Sequence, residues 1–174
     1  AVAAAGASVI HCPASNAKLA SGAFDFAGWR ARGVAVGLGT DGAASNNTLN
    51  LLAELRQAAL LSHGRGAVLP AAEFLAAATS GGAAAMGLAE VTGRLAPGLA
   101  ADVVAVDLQV PELAPLHDVT AQLVFADAGP AVTHVWVAGR CLLDDRRLTT
   151  LDEPEVLAAA GRWRRRLNEG GRPR

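Results

Sequence analysis

The sequence predicts an α/β chain with a parallel strand pair in its first half and a small, strand-rich second half. Three observations carry that prediction. Residues 8–12 and 34–38 are short apolar runs with helix-like sequence between and after them, an alternation that favours parallel pairing. The second run is continuously apolar, as in a strand covered on both faces. It leads into Gly37-Leu-Gly-Thr-Asp-Gly-Ala-Ala-Ser-Asn-Asn47, which sets Asp41 among glycines at the carboxyl end of the strand, where α/β barrels keep their chemistry.

The elements follow in order. The first strand, 8–12, stops at Pro13, and Ser15 and Asn16 are read as loop-shaping residues that bond backbone. A helix over 25–32 has Phe26, Ala27 and Trp29 as its apolar members, and Gly33 suits the left-handed position at its end. After the strand at 34–38, apolar residues at 49, 52, 53, 55, 59 and 60 give a helical period over 49–62. A second helical stretch, 70–86, breaks near Gly81-Gly82. Composition changes after Gly87: residues 93–98 are turn chemistry, 101–108 read as a strand, and 134–143 hold two short strands around Ala138-Gly139-Arg140, a hairpin signal. Asp152-Glu-Pro-Glu155 is a capping box that opens a last helix. The basic run 162–166 is read as the end of that helix, complementing its dipole.

With 52% hydrophobic and 18% charged residues, the 174-residue chain has the composition of a globular protein with one sizeable core. A net charge of −1 offers no electrostatic case for nucleic acid or an anionic membrane. No apolar run approaches the ~18 residues of a membrane span. Cys12 and Cys141 belong to no metal-binding or disulfide pattern, so reduced thiols and a cytoplasmic location are expected. The chain opens without methionine in the middle of an element, which implies a front part upstream of Ala1.

Asp41 has two readings. One is a cap for the following helix; the other is a ligand for a divalent metal with open coordination, able to accept a proton from water. The strand-end position and small neighbours favour a site. His11 is either a ligand or acid–base group or, the simpler reading, a histidine hydrogen-bonded in the wall. Ser45, Asn46 and Asn47 either touch a ligand or satisfy loop amides. His117-Asp118 reads as a turn and helix cap, and His63 and His134 have no partner by spacing. Gly37-x-Gly39-x-x-Gly42 formally matches a dinucleotide fingerprint, but residues 60–66 lack the acid and strand that should follow.

Together the motifs resemble the metal-dependent amidohydrolase superfamily along essentially the whole chain. Residues 11–22 look like the segment after barrel strand seven, and 37–47 like strand eight with its metal-ligand aspartate. Residues 93–108 look like the return into a small β domain, and 135–140 like its closing hairpin. Thr40 to Asn47 and Leu113-Ala-Pro-Leu-His-Asp118 most resemble 5′-methylthioadenosine/S-adenosylhomocysteine deaminases. Guanine and 8-oxoguanine deaminases and triazine chlorohydrolases share much of the frame.

The resemblance implies the last two β/α units of a TIM (β/α)8 barrel (1–88), the C-terminal half of a small β-sandwich (89–150) and a terminal helix and tail (151–174). It implies zinc, or alternatively iron, held by Asp41, which also shuttles a proton during deamination of a purine nucleoside. His11, Ser45 and Asn46 would lie around it. A homo-oligomer is left open. The superfamily's His-x-His pair, later metal histidine and proton-donating glutamate have no counterparts here and would lie upstream of Ala1, so the chain alone would be inactive. The reading from another class is a non-catalytic binding module.

Overall fold

The computed structural model describes residues 2–170. The first half alternates strands and helices: β1 (Val9–His11), α1 (Pro13–Lys18), α2 (Phe26–Ala31), β2 (Val36–Leu38), α3 (Leu51–Gly64), α4 (Ala71–Ala78) and α5 (Ser80–Ala85). The second half holds β3 (Val103–Val106), α6 (Val119–Phe125), β4 (Val132–Val137), β5 (Arg140–Asp144), β6 (Arg147–Leu148) and α7 (Glu153–Gly170).

β1 and β2 pair in parallel with Val9 opposite Val36 and His11 opposite Leu38. The ladder is closed at both ends, by the Val9 amide on the Ala35 carbonyl at 2.9 Å and the Gly39 amide on the His11 carbonyl at 3.0 Å. β2 is buried throughout. Its apolar side chains join Phe26, Leu55, Ala58, Phe74, Ala77 and Val124 in the main core, where the Phe26 and Phe74 rings lie 4.8 Å apart. A second cluster, Leu113, Ala128 and Ala131, is joined to the first by Leu52. The sheet of the second half runs β3-β4-β5-β6, all antiparallel, with the expected hairpin turn at Ala138-Gly139.

Helix ends are set by side chains that satisfy otherwise orphaned amides. Asp25 accepts from the Gly28 amide at 2.9 Å, Asn50 from Leu52 and Ala53 at 3.0 and 3.3 Å, and Asp118 from Ala121 at 2.8 Å. Asp152 accepts from Glu155 at 3.0 Å. Gly33 adopts φ +72° just beyond α2, as its position required.

Four sequence expectations are corrected. Residues 13–18 are a helix and not a loop; Pro13 occupies its first position, where the missing N–H costs nothing. The third helix begins at Leu51, because Leu49 lies at φ +48° and Asn50 is the cap. The 70–86 helix breaks at Thr79 and not at the glycines. Arg162 to Arg166 lie inside α7, which runs on to Gly170 and buries none of its residues.

The glycines near that break have another use. A Cβ on Gly81 would stand 2.7 Å from the Val36 carbonyl oxygen, and one on Gly37 would stand 3.1 Å from Gly82 Cα. Glycine on both elements therefore lets α5 lie against β2 backbone to backbone. Gly81→Ala is expected to force these elements apart and cost about 1–3 kcal/mol. An unchanged urea midpoint would show that the contact relaxes freely.

Candidate functional site

Parallel register makes β1 and β2 end side by side, so the segments leaving them meet. From β1 the chain enters α1, which carries Ser15. From β2 it enters a loop, 39–50, that carries Asp41, Ser45 and Asn46. Asp41 sits at φ +59°, a left-handed conformation that aspartate tolerates better than most side chains. It does not cap α3, since Asn50 does.

Asp41 Oδ2 accepts two hydroxyls, from Ser15 at 2.6 Å and from Ser45 at 2.8 Å. These bonds, Ser15 first, and a further one from the Gly42 amide hold the carboxyl below the usual carboxylate range. Both side-chain donors converge on Oδ2, so neither occupies Oδ1. Ser15 thus bonds a side chain, which corrects its reading as a backbone-bonding loop residue. Lys18 Nζ staples the same loop, donating to the Ala44 carbonyl at 3.1 Å and to Asn47 Oδ1 at 2.9 Å.

Asn46 is turned inward, only 3% exposed. Its Nδ2 donates to the Thr40 carbonyl at 2.9 Å and to Glu54 Oε1 at 2.7 Å, and its Oδ1 accepts the Thr48 and Leu49 amides. Of the two readings of Asn46, this geometry matches the one in which it satisfies loop amides. His11 is 3% exposed and stacks on Phe24 with centroids 4.5 Å apart. Its Nδ1 has no partner among the described residues, so the hydrogen-bonded wall histidine is not what this nitrogen is. Burial pulls its pKa down to about 4, which keeps the ring neutral at pH 7. Burial also pushes the Cys12 thiol up; the Asp41 amide opposes this, while the charges of Asp41 and Glu54 add to it.

Glu54 escaped sequence reading. It is 1% exposed, and its Oε2 accepts the Ala14 amide at 2.9 Å. The available signal was its place as the sole acid of α3. The other histidines lie elsewhere: His63 Nε2 bonds the Leu69 carbonyl at 3.1 Å, and His134 Nε2 lies 3.2 Å from Asp144 on the antiparallel sheet.

The donor set fits one ligand of a divalent metal. Asp41 supplies an exposed carboxylate that is favoured in its ionised form. A catalytic zinc takes about three protein ligands, and among the described residues no group of three His, Cys, Asp or Glu could hold an ion. No described helix is long and apolar enough to cross a membrane.

Comparison with known proteins gives a consistent result. The amidohydrolase family model matches residues 1–142. A 5-methylthioadenosine/S-adenosylhomocysteine deaminase of Teredinibacter turnerae is 49% identical over 165 residues, 93% of this chain and 37% of the relative. An adenosine deaminase from Xanthomonas campestris, solved with bound zinc, superposes with a TM-score of 0.92 at 43% identity, over 96% of this chain and 39% of that one. Atrazine chlorohydrolase from Arthrobacter aurescens, complexed with zinc, superposes with a TM-score of 0.84 at 30% identity, over 90% and 36%. The chain thus spans just over a third of the length of the relatives it matches.

Two titrations test this geometry. Ser15→Ala should raise the Asp41 pKa more than Ser45→Ala does, read by carboxyl-detected NMR. Because the folded value is depressed, the stability these bonds supply is complete above the ordinary aspartate pKa and is lost as pH falls through the folded one. Equal shifts, or none, would contradict the assigned bonds. His11 acts over a different window. Its folded pKa of about 4 lies below the ordinary 6.5, so the unfolded chain binds the extra proton between those values. Stability should fall by on the order of 3 kcal/mol from pH 6.5 to 4, and not further below. Denaturant midpoints of His11→Gln should lose most of that slope.

Proposed function

The chain belongs to the amidohydrolase family, and from that premise we propose that it supplies the last metal-ligand carboxylate, Asp41, of a hydrolytic deaminase. The substrate proposed is an adenosine-type thioether nucleoside, S-adenosylhomocysteine or 5′-methylthioadenosine. One observation carries the reading: an ionised, exposed carboxylate at the end of a buried parallel strand, with one oxygen held by two hydroxyls and no capping duty. The 49% identity to a deaminase of that name supports the substrate class.

The architecture proposed is the last two β/α units of a (β/α)8 barrel over 1–88, a strand-rich contribution to a β-sandwich over 89–150, and a terminal helix and tail over 151–174. The further ligands, and the groups that bind ribose and the thioether, come from polypeptide outside these residues. The metal is zinc, with iron as the alternative; when bound it supplies an acidified water for attack on C6 of the adenine ring. Asp41 does the rest of what this chain contributes. It ligates through its carboxylate, accepts a proton from the water, and returns it to the leaving amino group so that ammonia departs. Ser15 and Ser45 keep Oδ2 fixed through that cycle and favour the ionised carboxylate at its start. His11, neutral at pH 7 and stacked on Phe24, shapes the wall beside the strand ends.

The test is the complete enzyme loaded with zinc and offered S-adenosylhomocysteine, 5′-methylthioadenosine, guanine and a chlorotriazine. Ammonia release from the first two, with kcat lowered by about 10³-fold in Asp41→Asn, is the expected result. Turnover of guanine or the triazine alone would move the function to those branches. An Asp41→Asn variant as active as the parent would remove Asp41 from the chemistry, and a folded, metal-free, inactive complete protein would favour a binding module.

A further inference from the structure

We propose that Glu54, which lies outside the reacting groups, is a positioning residue that sets the geometry of Asp41. The inference rests on the reading of Asp41 as a ligand and concerns how the chain holds it there.

The bonds link two carboxylates through neighbouring residues. Glu54 Oε2 accepts the amide of Ala14, the residue before Ser15; Glu54 Oε1 accepts Nδ2 of Asn46, the residue after Ser45. Ser15 and Ser45 are the two hydroxyls on Asp41 Oδ2, at 2.6 and 2.8 Å. One buried carboxylate therefore anchors the neighbours of both donors that hold the exposed one. The same Asn46 amide group reaches the carbonyl of Thr40, directly before Asp41, so three points around Asp41 trace back to Glu54.

Packing does not explain this residue. A side chain 1% exposed on a core-facing helix would be served by leucine, and α3 already uses Leu55, Ala58 and Ala59 in that way. Burying a carboxylate is costly unless donors compensate. Here each oxygen meets one N–H donor, and each donor belongs to a segment that delivers a hydroxyl to Asp41. Glutamine cannot replace it, because its NH2 would face either the Ala14 N–H or Asn46 Nδ2, donor against donor. Asp41, at φ +59° in a loop of its own, has no regular element to orient it, so its direction depends on such supports.

The experiment uses the complete enzyme and zinc as the probe. Zinc affinity is read by chelator competition, and kcat, KM and thermal midpoint are measured in parallel for Glu54→Gln, Asn46→Ala, Ser45→Ala and Asp41→Asn. Glu54→Gln and Asn46→Ala are each expected to weaken zinc binding by about 10-fold and to lower kcat with little change in KM, at temperatures where the variant remains folded. Asn46→Ala combined with Ser45→Ala should cost less than the two losses multiplied, because both act through one loop. If Glu54→Gln and Asn46→Ala lower the thermal midpoint yet leave zinc affinity and kcat at parental values, Glu54 is a structural residue only and the proposal is wrong. Should Glu54→Gln fail to fold, Asn46→Ala, which keeps the bond to Ala14, decides alone by the same readouts. The Asp41→Asn control separates the two levels. If it abolishes zinc binding and turnover while the other variants behave as the parent, only the positioning role fails. If it too behaves as the parent, the reading of Asp41 fails.

Discussion

Everything at the candidate site depends on the parallel register of β1 and β2. That register brings two strand ends to the same level, with His11 opposite Leu38 and the Gly39 amide on the His11 carbonyl. A shift of one residue would exchange the faces of β1: the buried His11 would turn out and the half-exposed Ile10 would turn in. Register is held from one side by the main core and from behind by α5, whose glycines meet the backbone of β2. The energetic work is apolar and close-packed. The polar groups of the site ride on it.

From that platform the polar network is a set of local obligations. The loop 39–50 contains two residues with positive φ, Asp41 and Leu49, and neither is glycine. Backbone of this kind costs free energy and persists only where its surroundings over-determine it. Asn46 does so by binding backbone on both sides, Thr40 before it and Thr48 and Leu49 after it. The loop is a rigid frame for one exposed carboxylate, and Lys18 ties its outer edge to α1.

Much of the fold was legible because it follows from one-dimensional signals. The continuous apolar run at 34–38, the caps at Asp118 and Asp152, and the hairpin at Ala138-Gly139 are each written in neighbouring residues. The place of Asp41 in the fold was legible for the same reason, as an acid among glycines just past a strand. What escaped depends on contacts distant in sequence. Pro13 looks like a strand stop until its place in the first turn of a helix is seen. Ser15 looks like a loop residue, and its partner lies 26 positions away. Glu54 looks like an ordinary solvated acid on an amphipathic helix, and only the fold turns it inward towards Ala14, 40 positions back. The break at Thr79 was displaced from the glycines because their role is to admit β2, which no helix propensity reports.

The share of chemistry in this chain also follows from its geometry. Active sites of α/β barrels are assembled from the ends of several strands. Two strand ends offer two places, and here they are filled by His11 with Cys12 and by Asp41. Burial favours neutral imidazole and protonated thiol in the first pair, and the imidazole stacks on Phe24. Of these three side chains, Asp41 is the one that combines exposure with a stabilised charge. On the proposed reading, a metal that needs about three protein ligands would take only one of them from the described residues. The exposed Asp41 carboxylate is held by the Ser15 and Ser45 hydroxyls, whose neighbours in sequence, Ala14 and Asn46, both bond the buried Glu54.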